Sequence, residues 1–151
     1  SWPSEMSEES LLLINDMTFD GVPELALGGY REDMGRYQLV VKDGTDRSNV
    51  LATVSWANKL SEVAYYSIAD MTGDGIPEFA IDGMRSSGAY EVNIKDYTGQ
   101  TLEVLVFGDD WSAKPKLIQS EDVTGDGVPD FVLTGKNKQG TSVYQIHSIL
   151  N

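Results

Sequence analysis

Apolar residues in this chain fall into short runs rich in Val, Ile, Leu, Tyr and Phe, separated by polar bends rich in Asp, Gly, Ser and Thr. Runs of that kind read as strands rather than helices. The pattern predicts four strands at residues 11–15, 24–28, 37–42 and 50–56, four more at 63–69, 78–82, 89–97 and 101–107, and three at 116–119, 130–134 and 141–150. Residues 4–10 are polar and read as a linker, and residues 29–35, with Arg31, Glu32 and Asp33, read as a loop. Asp43-Gly44 and Thr98-Gly99-Gln100 supply turns. The third group lacks a fourth strand.

A fourteen-residue phrase occurs three times and sets the phase of these strands. It starts at Asp16, Asp70 and Asp122, at intervals of 54 and 52 residues, and its third copy reads Asp122-Val123-Thr124-Gly125-Asp126-Gly127-Val128-Pro129-Asp130-Phe131-Val132-Leu133-Thr134-Gly135. Trp2 and Trp56 each stand fourteen residues ahead of a copy and Trp111 eleven ahead of the last, so the repeat extends upstream of the phrase. A repeat of this length holds one supersecondary unit that cannot bury its apolar face alone, and neighbouring units must stack. The expected organisation is one all-β repeat domain over residues 1–151, with units at about 11–56, 63–107 and 116–150.

Each copy offers oxygen ligands at its first, third, fifth and ninth positions, a glycine at the sixth and a free backbone carbonyl at the seventh. The three sets are Asp16, Thr18, Asp20, Val22 and Glu24; Asp70, Thr72, Asp74, Ile76 and Glu78; and Asp122, Thr124, Asp126, Val128 and Asp130. Calcium takes six to eight oxygens at about 2.3–2.6 Å, and a loop with oxygens on alternate residues wraps it where glycine allows a sharp turn. Up to three Ca2+ ions are expected. Thr at the third position leaves three anionic ligands per site and lowers the expected affinity. An EF-hand would need Glu at the twelfth position between helices, but Leu27, Ile81 and Leu133 stand there, in runs that read as strands. Asp-Gly turns also close strands without any metal, but acids at the same three offsets in three copies favour a cation.

These loops resemble the FG-GAP and VCBS repeats of integrin alpha-subunits and many secreted bacterial proteins, whose Asp-x-Asx-x-Asp-Gly-x-x-Asp-Leu loop they match over most of the chain. The resemblance implies a β-propeller of four-stranded antiparallel blades, with calcium between the first two strands of each. The sequence departs from that pattern in Thr at the third position, in Glu24 and Glu78 at the ninth, and in Phe19 where the other copies have Gly73 and Gly125.

The chain has 151 residues, 24 acidic and 11 basic, for a net charge of −13. That charge argues against nucleic acid as a partner. Nine of the acids lie in the three loops, and three calcium ions would bring the charge to −7. There is no cysteine, hence no disulfide. Sites with few anionic ligands suit the calcium-rich exterior, so a secreted or cell-surface location is expected. The apolar run at residues 11–14 is too short to cross a bilayer or to form a signal-peptide core. With three strands in the last group, the chain reads as part of a longer propeller, as half of a two-chain ring, or as a small three-unit assembly. Unpaired strand edges invite association.

In an up-and-down blade the loop between the second and third strands leaves the face opposite the metal. That face would gather Arg31, Arg85, Lys136 and Lys138, with Trp56 and Trp111 at unit junctions, a set suited to an acidic glycan or a carboxylate-bearing protein. Tryptophans at repeated positions equally suit packing between units. Catalysis has little support: the single histidine, His147, lies in the last strand, and no nucleophile elbow, phosphate loop or zinc spacing occurs. The leading expectation is a calcium-binding extracellular module for adhesion or ligand binding. The alternatives are a portion of a secreted polysaccharide-acting enzyme and a structural spacer of a surface protein.

Overall fold

The computed structural model describes Trp2 and residues 5–57, 59–108 and 110–149; among them there is no helix. Among the described residues, eleven strands form three antiparallel sheets. The first sheet holds β1 (Met6–Ile14), β2 (Glu24–Arg31), β3 (Arg36–Lys42) and β4 (Val50–Trp56), each paired with the next. The second repeats that order with β5 (Ser61–Ile68), β6 (Glu78–Met84), β7 (Tyr90–Lys95) and β8 (Thr101–Phe107). The third has β9 (Lys116–Gln119), β10 (Asp130–Lys136) and β11 (Ser142–Ser148), with β10 in the middle. Each copy of the repeated phrase bridges the first two strands of a sheet.

The chain divides into two compact units. The first comprises Ser1–Lys59, Ala64–Ile81 and Ile94–Leu102, and the second Leu60–Val63, Asp82–Asn93 and Glu103–Asn151. In the first unit, the pairs Ala26↔Val41, Gly28↔Leu39, Val41↔Ala52, Leu39↔Val54 and Tyr37↔Trp56 place one set of side chains on a common face, where all are buried. Each large aliphatic or aromatic side chain so buried contributes about 1.5–3 kcal/mol. Tyr65 lies on that face: a Cβ added at Gly28 would come within 2.7 Å of its ring, and its ring meets Trp56 edge-on at 6.4 Å. Lys95 Nζ donates to the Ser55 carbonyl at 2.8 Å.

In the second unit, buried Asp82 accepts from Tyr90 Oη at 2.6 Å and from Lys114 Nζ at 2.7 Å. Lys114 also donates to the Glu62 carbonyl at 2.6 Å. The Trp111 indole donates to the Phe107 carbonyl at 3.1 Å, and the Phe107 ring meets His147 edge-on at 5.1 Å.

Strand bounds differ from expectation in ways with physical causes. β1 begins at Met6, inside the stretch expected as a linker; Ser4 lies outside the described residues. Edge strands pair through backbone groups, so polar side chains do not prevent it, and the pairing shifts register between Ser7 and Ser10, where Glu8 takes φ 55°. Glu62, at the same repeat position, takes φ 53°. β2, β6 and β10 run on to Arg31, Met84 and Lys136, through glycines that read as strand ends. Those glycines instead mark close approaches: an added Cβ would sit 3.0 Å from the Ser7 carbonyl oxygen at Gly29, 2.8 Å from Leu60 Cβ at Gly83 and 3.0 Å from the Trp111 ring at Gly135. β7 is shorter than expected because Asp96 Oδ1 captures the amides of Thr98 and Gln100, both at 2.9 Å, in a turn. β11 spans Ser142–Ser148, and the expected end at Leu150 lies outside the described residues.

Candidate metal centre

The three acidic loops share a local mechanism. The first Asp of each curls the backbone by accepting amides from within its own loop, the Asx-turn chemistry that short carboxylates favour. Asp16 accepts from the Thr18 and Asp20 amides at 3.1 and 3.2 Å and from Gly21 at 2.6 Å. Asp70 accepts from Thr72, Gly73 and Gly75 at 3.0, 2.7 and 2.7 Å. Asp122 accepts from Gly125, Asp126 and Gly127 at 2.6, 3.2 and 2.8 Å. Asp20, Asp74 and Asp126 then take the amides of Val22, Ile76 and Val128, at 2.8, 2.8 and 3.1 Å. The sixth-position glycines Gly21, Gly75 and Gly127 have φ of 86°, 82° and 91°, where a side chain would be strained.

The ninth-position acids close the loops from the strands. Glu24, Glu78 and Asp130 open β2, β6 and β10 and are buried. Glu24 Oε1 accepts from the Met17 amide at 3.1 Å, Glu78 Oε2 from Met71 at 2.5 Å, and Asp130 Oδ2 from Val123 at 2.7 Å. The threonine hydroxyls lean on the same carboxylates: Thr18 on Glu24 at 3.3 Å, Thr72 on Glu78 at 3.4 Å and Thr124 on Asp130 at 3.0 Å.

Two loops draw their acids into a cluster. Oxygens of Asp70, Asp74 and Glu78 lie within 4.8 Å of one another, as do those of Asp122, Asp126 and Asp130. The first loop's Asp16, Asp20 and Glu24 do not form such a group. Its Glu24 Oε2 is taken by the Gly44 amide at 2.7 Å, from the turn after β3. The loop still has the backbone path of its relatives: Phe19 adopts φ 62°, where Gly73 and Gly125 have 84° and 81°. In the third loop Asp126 also accepts from the Ser148 hydroxyl.

Electrostatics separate the members of a cluster. Burial, with the charges of Asp70 and Asp74 beside it, pushes the Glu78 carboxyl up to about 7. Burial also works to raise Asp70, but the amides of Gly75, Gly73 and Thr72 outweigh it and hold that carboxyl below its ordinary range. Asp16 is lowered in the same way, by the amides of Gly21, Asp20 and Phe19 working against burial. Asp126 is lowered chiefly by the Ser148 hydroxyl. Three carboxylates with a threonine hydroxyl close by form a hard-oxygen donor set, of the kind that hard divalent cations such as Ca2+ accept, and lack the His or Cys that zinc selects.

The residues expected to form a ligand face are placed differently from one another. Trp56 and Trp111 are buried. Arg31 Nε and Nη2 fork onto Asp33 at 2.8 and 2.6 Å, and Nη1 donates to Gln38 at 3.2 Å. Arg85 Nε pairs with buried Glu91 at 2.5 Å. Lys136 is exposed at the end of β10, its carbonyl taken by Ser112. His147 donates or accepts at Nδ1 with the neighbouring Ser148 carbonyl, according to its tautomer. Sequence reasoning missed the partnership of Gly44 with Glu24 and that of Trp2 with Lys42, whose ammonium sits 4.7 Å from the Trp2 ring centroid. The recurrence of Lys42 as Lys95, 53 residues on, was the available signal for the second.

Comparison of the sequence with descriptions of known protein families and with curated proteins gave no match.

Proposed function

We propose that this chain is a calcium-stabilised extracellular binding module whose sheets are blades of a β-propeller-type repeat. The observation that carries the reading is the convergence of Asp70, Asp74 and Glu78, and of Asp122, Asp126 and Asp130, within 4.8 Å. Clustered carboxylates repel one another, and a bound divalent cation turns that repulsion into attraction. Asp70, Thr72, Asp74, Glu78 and the Ile76 carbonyl would hold one ion. Asp122, Thr124, Asp126, Asp130 and the Val128 carbonyl would hold another, and the first loop a third, more weakly. The role of the ions is structural: they tie the first two strands of each sheet together. A secreted or cell-surface setting supplies the calcium that sites of modest charge need. The ligand is an acidic glycan or a carboxylate-bearing protein, met by the cations Arg31 and Lys136 at the ends of β2 and β10 and Arg85 just beyond the end of β6.

Calorimetric titration with Ca2+, paired with thermal unfolding in calcium and in chelator, tests the metal reading. Heat of binding and a melting temperature several degrees higher with calcium are expected. Equal melting in both buffers, with no binding heat, overturns it. Binding to an acidic-glycan array, abolished by chelator, is expected of the module; an array blank in calcium rejects the glycan.

A further inference from the structure

The repeat allows each side chain to be compared with its counterparts 52 to 54 residues away, and the comparison isolates two sheet faces. Leu39 and Val41 of β3 and their counterparts Val92 and Ile94 of β7 are all 0% exposed, but the counterparts on β11, Tyr144 and Ile146, are 75% and 59% exposed. Opposite Tyr144 and Ile146 on β10 lie Thr134 and Val132, and Ile118 of β9 pairs with Val132, so this is one face of the third sheet.

The first sheet shows the converse on its other face. Leu11 of β1 is 67% exposed, but its counterparts Tyr65 and Leu117 are 7% and 9%. Leu11 and Leu13 pair with Leu27 and Leu25, which pair with Val40 and Lys42, which pair with Thr53 and Val50. That face contains a cavity of about 430 Å³ lined by Trp2, Gln38, Val40, Lys42, Val50 and Thr53 together with Arg31.

The two faces are opposite halves of a contact the protein already makes. Within the first unit, the Gly28, Leu39 and Val41 face receives Tyr65, the counterpart of Leu11. Within the second unit, Phe107, which stands where the first sheet has Trp56, receives His147, which shares a face of the third sheet with Leu117, the counterpart of Leu11. Each time, the face of the Tyr144 type meets the face of the Leu11 type. Trp2 confirms the kind of neighbour the first sheet accepts. It stands 54 residues before Trp56. Lys42 meets Trp2 where its counterpart Lys95 meets Ser55, the residue before Trp56.

We infer that the Ile118, Val132, Tyr144 and Ile146 face of one copy of this chain packs on the Leu11, Leu13 and Val50 face of a second copy. The contact is head-to-tail: each copy donates one face and accepts with the other. Such an interface closes into a ring if its rotation permits and otherwise extends as an open series. It is independent of whether the acidic loops hold calcium.

Sedimentation of the chain over a concentration series to about 1 mM, where even a contact with a dissociation constant of about 1 mM is half formed, tests this. Concentration-dependent dimers or larger species are expected. Leu13→Glu and Ile146→Glu each place a charge on one exposed face, and each alone should weaken self-association by more than about tenfold. Thermal melts, with Leu11→Glu and Tyr144→Glu as second variants, check that the chains remain folded. Mixing Leu13→Glu with Ile146→Glu leaves one intact donor face and one intact acceptor face, so a 1:1 pair should form. A monomer throughout the series overturns the inference, as would be found if another protein or a further repeat covers these faces. A dimer indifferent to both charges, or one that mixing does not restore, overturns it too.

Discussion

The Gly44 amide donates to Oε2 of Glu24 across 2.7 Å, tying the turn after β3 to the acidic loop before β2. Nothing larger than glycine fits at that junction, since an added Cβ would collide with the Pro23 carbonyl oxygen and press on Val22. Gly44→Ala should therefore destabilise the chain by about 1–3 kcal/mol, the usual cost of forced overpacking, read from urea unfolding. Unchanged stability would mean that the turn yields freely.

Phe19 holds a left-handed backbone with its ring largely exposed. For an L-residue that conformation costs roughly 1–2 kcal/mol, which glycine avoids. Part of the gain is offset by the freedom glycine adds to the unfolded chain and by the loss of the ring's contact at Gly75. Phe19→Gly should raise stability by about 0.5–1 kcal/mol in the same unfolding assay, an uncommon direction for removing an aromatic ring.

The raised Glu78 carboxyl fixes the sign of one pH effect. With its ordinary value at 4.5 and its folded value at about 7, the native state holds more protons than the unfolded chain between those limits. In chelator, stability should be greatest below about 4.5 as far as this group is concerned, and fall as pH rises through about 7. Glu78→Gln should flatten that segment of the stability profile in chelator and remove part of the calcium-induced rise in melting temperature. A profile identical to the parent's would show that Glu78 is not the group responsible.

Calcium binding should differ among the loops. Asp74→Asn and Asp126→Asn each alter a cluster whose acids already converge, and each should remove one site from a calorimetric titration. Asp20→Asn should change the isotherm least, because Glu24 in that loop already shares an oxygen with Gly44. The reverse ranking would contradict the geometry.

Buried Asp82 depends on Lys114 at 2.7 Å and Tyr90 at 2.6 Å. Lys114→Met removes the countercharge and leaves a carboxylate in the interior, which should cost about 3–5 kcal/mol by chemical denaturation. Asp82→Asn in the Lys114→Met background should recover part of that loss.

Much of the fold is legible in the sequence because the fourteen-residue phrase fixes its own phase. Asp16, Asp70 and Asp122 mark where the first strand of each sheet ends, and Glu24, Glu78 and Asp130 where the second begins. The remainder depended on tertiary neighbours. Gly28 and Gly29 look like a strand end until Tyr65 and Met6 are seen to lie against them. The polar residues of β1 look like a linker because nothing local shows that Met6 and Ser7 pair with Arg31 and Tyr30. At the acidic loops the ligand types could be read, but the diversion of Glu24 toward Gly44 could not, since the partners are twenty residues apart.

The register shift between Ser7 and Ser10, with Glu8 and Glu9 beside it, has a bearing on solubility. A kinked, acidic border is a poor template for another chain's backbone. β11, an outer strand of its sheet among the described residues, pairs in unbroken register from Ser142 to Ser148, and its stretch Val143-Tyr144-Gln145-Ile146 carries no charge. A straight, uncharged strand of that kind is a better template for a neighbouring backbone than the kinked acidic one.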